Sequence, residues 1–349
     1  MQIVSAGTAF PANKYDQQAI TARLQQQWSQ QLPRPETLSR LHTRCGVETR
    51  NLVLPLEAYA NVNSWGKAND VWIEAAQTLG RDAICRAITP AGLMPHDIDA
   101  LFFVSVTGVA SPSIDARLVN RMNLSPRIKR VPMFGLGCVA GAAGLARAAD
   151  YVRAFPDHVA VVLAVELCSL TWQRDDVSVA NLISTGLFGD GAAAAVVAGS
   201  NAGFDGPEIV ATRSVFYPNT QDVMGWNISE DGFRIVLSPD VPNVIRENLG
   251  NDVDTFLHDH GVRRDEIASW IIHTGGPRVL EAVSEALDLK EGALDASWDS
   301  LRKVGNLSSA SVLVVLEEYL AHRRGEPGTY SVLAAMGPGF CSELLLLRW

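Results

Sequence analysis

Cys138, His273 and Asn306 are the residues of this chain whose types and settings could do chemistry together. Cys138 follows a glycine turn in Phe134-Gly-Leu-Gly-Cys-Val-Ala-Gly-Ala-Ala-Gly144, and the small residues after it read as a helix over 139–152. A thiol at the head of a helix meets free backbone N–H groups and the positive end of the helix dipole. Such a setting lowers a thiol pKa from about 8.5 towards roughly 3.5–7.5, so a nucleophilic thiolate is expected. His273 ends the apolar run Trp270-Ile-Ile-His, ahead of a glycine pair. The C-terminal end of a buried strand is where open α/β sheets place functional groups. Asn306, after Gly305, heads a second helix expected over 307–320. Singly, a cysteine is most often a small buried hydrophobe and a histidine a satisfied structural residue. Together they suggest a thiol, a base and an amide donor around one cavity.

The elements that must position them repeat. Ile98-Asp-Ala-Leu-Phe-Phe-Val-Ser-Val-Thr-Gly108 reads as a helix end running into a buried strand and a glycine turn. Ile267-Ala-Ser-Trp-Ile-Ile-His-Thr-Gly-Gly276 does the same 169 residues later. Gly137-Cys138 and Gly305-Asn306 precede equivalent helices at an offset of 168. The apolar strands at 160–166 and 330–336 stand 170 apart. Three successive elements at nearly one offset indicate an internal duplication. Short, wholly apolar strands alternating with helices signal sheets covered on both faces. The expected class is α/β, two stacked halves forming a five-layered α/β/α/β/α body. The Gly/Asn-rich stretch 200–206 divides it, giving halves 1–205 and 206–349. Equivalent helices of such a body can meet at its centre, which would bring Cys138 and Asn306 to one cavity.

The bulk properties narrow the function. The chain has 349 residues, 47% hydrophobic and 19% charged, which describes a globular protein with a substantial core. A net charge of −9 argues against a nucleic-acid-binding face, though not against a local basic patch. Cys45, Cys85, Cys138, Cys168 and Cys341 have no CxxC spacing and suit a reducing cytosol rather than a disulfide framework or zinc site. No basic segment followed by an apolar one opens the chain, and runs such as 159–165 and 344–347 are too short to span a bilayer. A cytoplasmic location is expected. Gly135, Gly137 and Gly141 spell G-x-G-x-x-x-G, not the dinucleotide fingerprint, and no acidic residue follows at the distance a ribose requires. His258 and His260 lie among Asp252, Asp254 and Asp259 with no third ligand in view, so they read as a solvated face rather than a metal pair.

At these motifs the sequence resembles the type III polyketide synthases, the chalcone-synthase-like enzymes, over nearly its whole length. Gly135-Leu-Gly-Cys-Val-Ala-Gly is similar to the family's nucleophile motif, Trp270-Ile-Ile-His-Thr-Gly-Gly-Pro to its histidine motif, and Gly305-Asn-Leu-Ser-Ser-Ala-Ser to its asparagine motif. Leu187-Phe-Gly-Asp-Gly-Ala-Ala-Ala resembles the segment carrying the gatekeeping phenylalanine. Met336-Gly-Pro-Gly-Phe stands where the family has its GFGPG loop, with methionine in place of the first phenylalanine. The resemblance implies a thiolase-like fold and decarboxylative Claisen condensation of an acyl-CoA starter with malonyl-CoA. It makes Cys138 the nucleophile, His273 and Asn306 the thiolate partner and oxyanion donors, and Phe188 the wall between CoA tunnel and reaction cavity. It implies Val106, Cys168, Thr171, Trp226 and Ser308 as cavity residues. Arg40, Arg44 and Arg50 fall in the segment that meets CoA phosphates, Arg44 and Arg50 being the candidates retained. CoA thioesters are then substrates and no metal, flavin or nicotinamide is called for. The resemblance further implies a C2 homodimer with the strand ending at Glu166 near its junction.

Met224-Gly-Trp-Asn-Ile-Ser-Glu-Asp-Gly-Phe-Arg, Thr274 and Ser111-Pro-Ser-Ile-Asp-Ala-Arg-Leu resemble the bacterial branch that makes alkylpyrones and alkylresorcinols, so a fatty acyl starter and a pyrone or resorcinol-type product are expected. The rival enzyme, a ketoacyl-ACP synthase III, carries an HQAN-like histidine motif that His273-Thr-Gly-Gly does not match. An HMG-CoA-synthase-like enzyme needs a further glutamate base, and Glu166 sits in a different motif. A non-catalytic acyl-binding scaffold would have no use for an intact Cys, His and Asn set. Cys45 and Cys341 read as structural.

Overall fold

Strands that are buried along their whole length need cover on both faces, and this chain contains several: Ala100–Val104, Val159–Leu167 and Asp190–Ala198. The computed structural model describes residues 1–32 and 34–349. Its first half runs β1 (Gln2–Ala9), β2 (Asn13–Asp16), α1 (Gln17–Gln27), α2 (Glu36–Arg44), β3 (Thr49–Leu52), α3 (Trp65–Ile88) and β4 (Ala100–Val104). It continues through α4 (Ile114–Met122), β5 (Lys129–Met133), α5 (Ala140–Ala154), β6 (Val159–Leu167), α6 (Val179–Leu187) and β7 (Asp190–Ala198). The second half comprises β8 (Glu208–Phe216), β9 (Met224–Ser229), β10 (Gly232–Leu237), α7 (Val241–His258), β11 (Ile267–Ile272) and α8 (Pro277–Leu287). It closes with α9 (Asp295–Val304), α10 (Ser311–His322), β12 (Tyr330–Gly337) and β13 (Cys341–Arg348).

The strand order β11-β12-β13-β8-β1-β7-β6-β4-β5 reads nearly the same from either end of the duplication. β4 and β6 pair in parallel, as do β11 and β12. β7 and β13 then run antiparallel to their neighbours. The two half-sheets meet where β1 pairs β8 through a single residue pair, Gln2 with Glu208. The repeat extends to details: Asp97 accepts from the Met94 backbone N–H and Glu266 from that of Arg263, both at 2.8 Å, each closing a single helical turn before the strand.

α3 covers β1, β6 and β7 from outside, and α7, packed with α8, lies against β13. Between the sheets lie α5, which touches β6, β7, β12 and β13, and α10, which touches β1, β7, β11 and β12. Three apolar clusters fill the four interfaces, the central one enclosing both inner helices. This is the five-layered duplicated body that the repeat implied. The inner helices begin later than expected. One-turn 3₁₀ segments, Gly137–Val139 and Ser308–Ala310, precede them, because Gly137 (φ 55°) and Ser308 (φ 49°) sit in the left-handed region, where an α-helix cannot start. β6 is interior, between β4 and β7, rather than near an outer junction. The open edge of the first half-sheet is β5. His258 ends α7 and the His260 ring packs edge-on against Phe256 at 5.3 Å. No helix among the described residues is long and apolar enough to cross a membrane.

The contact at the centre is close. A Cβ at Gly141 of α5 would overlap the Ser309 carbonyl oxygen and lie 2.8 Å from Val312 Cγ1. Gly141→Ala must therefore push the inner helices apart, and a loss of about 1–3 kcal/mol is expected from overpacking. Denaturant unfolding of the variant measures it. Activity should fall further than stability, since the displaced elements carry the site.

Candidate active site

Cys138 is the middle residue of the 3₁₀ turn before α5. Its position is set from the other half: a Cβ on Gly137 would lie 2.5 Å from Pro338 Cδ, so only glycine lets the Met336-Gly-Pro-Gly-Phe loop close over the turn. Cys138 is 6% exposed, and its Sγ donates to Ser308 Oγ at 3.6 Å. Burial pushes the thiol up to about 12, with the charge of Glu166 adding to the effect. The expected low thiol pKa is thus corrected. Desolvation by burial outweighs the helix terminus, because Cys138 lies inside the 3₁₀ turn rather than at the head of α5.

His273 follows β11, and its backbone N–H donates to Ala334 O at 3.0 Å. Burial brings its imidazole down to about 4, so it is neutral at pH 7, and its Nδ1 has no partner among the described residues. The imidazole and the thiol line the same cavity, and burial keeps both neutral at pH 7.

Asn306 is held on every side but one. Its backbone N–H donates to Leu187 O at 2.9 Å and its carbonyl accepts from Gly189 N–H at 3.0 Å, a bridge from α6's C-terminal end to α10's head. Its Oδ1 accepts from Ser308 N–H at 2.7 Å and from Ser311 Oγ at 3.4 Å. The carbonyl end of the amide is therefore committed, and the Nδ2 donor is the end left for a ligand.

Cys138, His273, Asn306 and Phe188 all line one cavity of about 560 Å³. Its walls are aliphatic, with Ile183 and Leu187 from α6, Val241 and Ile245 from α7, and Met336 and Phe340 from the glycine-proline loop. The exposed Arg44 and Arg278 belong to the lining and mark the mouth, and neither forms an ion pair among the described residues. Arg44 is thus where a phosphate could meet it. Arg50 is not: it is 0% exposed, donating to Phe188 O and Gln17 Oε1, so the expectation of a CoA contact there is corrected. Val106, Cys168, Thr171 and Trp226 lie outside the lining. Val106 and Cys168 are buried beside the Glu166 strand, and Thr171 Oγ1 is spent on Cys168 O at 2.8 Å. Trp226 packs edge-on against Phe233, whose ring also meets Phe134 and Trp65. Ser308 touches Cys138 itself rather than walling the cavity.

Sequence reasoning missed Arg278, Ser311 and the α6–α7 wall. A cation directly after His273-Thr-Gly-Gly-Pro and a serine heading the second inner helix were the available signals. Nothing local marked Ile183, Val241 and Ile245 as wall rather than core.

Behind the turn lies Glu166, wholly buried. It accepts from Val106 N–H at 3.1 Å, Thr107 Oγ1 at 2.8 Å, Ser105 Oγ at 3.3 Å and Ser309 Oγ. Desolvation nevertheless raises its pKa from 4.5 to about 7. A carboxyl raised on folding contributes stability that is full below about pH 4.5 and is lost, by about 3 kcal/mol, as pH rises through about 7. Thermal melts of Glu166→Gln from pH 5 to 8 should show a flatter profile than the wild type. An unchanged slope would mean that Glu166 is ionised throughout.

Comparison with known proteins places this geometry. The family description "Chalcone and stilbene synthases, N-terminal domain" matches residues 1–202, and "Chalcone and stilbene synthases, C-terminal domain" matches 208–349. A 1,3,6,8-tetrahydroxynaphthalene synthase of Streptomyces peucetius subsp. caesius is 50% identical, covering 99% of this chain and 93% of that protein. A putative chalcone synthase of Bacillus subtilis (strain 168) is 35% identical over 99% of this chain and 98% of its own. The crystal structure of 1,3,6,8-tetrahydroxynaphthalene synthase from Streptomyces coelicolor A3(2), a bacterial type III polyketide synthase, superposes with a TM-score of 0.95 at 31% identity, covering 100% of this chain and 99% of that one. PKS-I from the brown alga Ectocarpus siliculosus superposes at 0.92 with 27% identity, over 99% and 97% of the two chains. With both halves matched, and a full-length relative sharing 50% of its residues, the chain belongs to the chalcone and stilbene synthase family and is a type III polyketide synthase.

Proposed function

We propose that the enzyme builds a small polyhydroxylated aromatic product from malonyl-CoA, with Cys138, His273 and Asn306 as its catalytic residues. The observation that carries the residue roles is their convergence, with Phe188, on one apolar cavity whose mouth bears Arg44 and Arg278. His273 takes the Cys138 proton as the thiolate attacks the incoming thioester, and CoA leaves. The C–CO₂ bond of a bound malonyl thioester then breaks, its electron pair passing to the α-carbon and thioester oxygen. The Asn306 Nδ2 donor and His273 stabilise that enolate charge. The α-carbon attacks the Cys138 thioester, the C–S bond breaks, and the chain leaves two carbons longer as a CoA thioester. No metal, flavin or nicotinamide enters the balance.

Two observations support a compact aromatic product. The most similar relatives named above make a naphthalene bearing hydroxyls on alternate carbons, the pattern that two-carbon condensation leaves. The Trp65, Phe134, Trp226 and Phe233 rings also pack on one another outside the cavity lining, so the cavity does not extend along Trp226. A second reading, a fatty acyl starter leading to a pyrone or resorcinol-type product, is favoured by the aliphatic walls, where each buried methylene contributes about 0.8 kcal/mol. Incubation with malonyl-CoA alone, and with hexanoyl-, decanoyl- or palmitoyl-CoA added, separates them by product mass. The expected outcome is an aromatic product from malonyl-CoA alone, and acyl-extended products predominating in the mixtures would replace this reading with the second. Cys138→Ala should abolish condensation while Cys138→Gln continues to decarboxylate malonyl-CoA, glutamine standing in for the acylated thiol. Full condensation in Cys138→Ala would remove Cys138 as nucleophile.

A cytoplasmic homodimer is part of the same proposal. The five unpaired thiols suit a reducing compartment. β5 pairs β4 on one side and leaves its other edge open among the described residues, and Phe134 beside it is 51% exposed. Pairing of β5 with its copy would close that edge. Sedimentation should show a dimer at micromolar concentration, and a stable monomer would refute it.

A further inference from the structure

A buried guanidinium is costly, and Arg50 is buried completely. It stays charged, burial bringing its pKa down only to about 10, with Cys45 and Asp190 the first of the acidic groups that act against that shift. What it holds is the segment on which Asn306 hangs. One terminal nitrogen donates to Phe188 O at 2.5 Å and the other to Gln17 Oε1 at 2.8 Å, while Gln17 Nε2 donates to Gly186 O at 2.7 Å. Arg50 and Gln17 together thus take up the carbonyls left at the C-terminal end of α6, where the helix dipole favours a cation. The peptide groups between those carbonyls pair with Asn306: Leu187 O accepts from its N–H and Gly189 N–H donates to its carbonyl. The Arg50 stem fills the far side, since a Cβ on Gly305 would meet its Cδ at 3.0 Å.

We propose that Arg50 is a positioning residue for the condensation: through the Phe188 carbonyl it fixes the main chain of Asn306 and the Phe188 ring as one unit facing Cys138. This rests on the donor role given to Asn306 above. Arg50 touches no substrate. Its effect is to hold the Asn306 amide where the enolate oxygen forms, so its loss should weaken decarboxylation and spare the thiol.

The test compares wild type, Arg50→Lys, Arg50→Met, Gln17→Met and Asn306→Ala in two assays, malonyl-CoA decarboxylation and alkylation of Cys138 by iodoacetamide. Arg50→Met should lower kcat for decarboxylation by about tenfold to hundredfold, short of the roughly 10²–10³ typical of deleting an oxyanion donor, with KM moving much less. Arg50→Lys, keeping the charge but not the two-point hold, should recover part of the loss. Alkylation should stay near the wild-type rate in every folded variant. Gln17→Met should shift kcat in the same direction by less, and it decides the matter if the Arg50 variants do not fold. Unchanged kcat per folded molecule beside a collapsed Asn306→Ala would overturn the proposal. So would alkylation falling in step with decarboxylation, the mark of a merely structural arginine. Normal decarboxylation by Asn306→Ala would instead remove the reading of Asn306, and the proposal with it.

Discussion

The site depends on one close approach, that of the two inner helices where Gly141 lies under the Ser309 carbonyl. Each inner helix is wedged between sheets from both halves, so neither can move without disturbing the central core. The turns that precede them carry Cys138 and Asn306. Their separation is therefore fixed by backbone packing rather than by any bond between the two side chains. The small residues from Ala140 to Gly144 make this possible, since larger ones would hold the helices farther apart. Pro338 against Gly137 adds a third point of contact from the second half. Preorganisation of this kind costs nothing at the moment of reaction, because the donors already stand where charge will develop.

Around that contact the chain buries an unusual set of charged groups, and each is matched to a local task. Glu166 gathers Val106, Thr107, Ser105 and Ser309 behind the nucleophile's turn and ties β4's end to α10's head. Asp190 accepts from the Ser169 and Val53 backbone N–H groups at 2.8 and 2.7 Å, anchoring β3 to the start of β7. Arg50 takes the carbonyls at the end of α6. Apolar residues of the same volume would pack as well but could not fix the directions of these peptide groups. Burial of the thiol and the imidazole holds both in their neutral forms rather than as an ion pair.

Much of the scaffold was legible because its signals are local. Wholly apolar strands, glycine turns and small-residue helices repeat at offsets of 168–170, and the sheet order repeats with them. The identities of Cys138, His273 and Asn306 follow from those offsets and from the motifs. The cavity was less legible, because which apolar side chain faces a void and which faces its neighbour is settled by packing across five layers. Val106 and Trp226 read as walls and lie outside the cavity lining, whereas nothing local marked Ile183 and Ile245, which are walls. Arg50 failed for the same reason. An arginine in a basic stretch reads as surface, and only the tertiary fold shows β3 turning it inward under Phe188. The thiol was misjudged by weighing a helix terminus without its desolvation.

The duplication also explains how one histidine became free to act. In the first half Val104 pairs near Ala164, and in the second Ile272 pairs with Ala334 in the same register. Ser105 is then the counterpart of His273, and Glu166, two residues beyond Ala164, is the counterpart of Met336. In the first half these positions bond each other, Ser105 Oγ to Glu166, and the hydroxyl and carboxylate satisfy one another. In the second half a methionine stands in the carboxylate's place and offers no comparable acceptor. Among the described residues the His273 Nδ1 is left without a partner, and no neighbouring carboxylate raises the ring's pKa. A symmetric pair of carboxylates would hold His273 protonated and unable to accept the thiol proton. The asymmetry at position 336 thus leaves the base uncommitted, whereas Ser308 and Ser311 commit one end of the Asn306 amide and leave the other to the cavity.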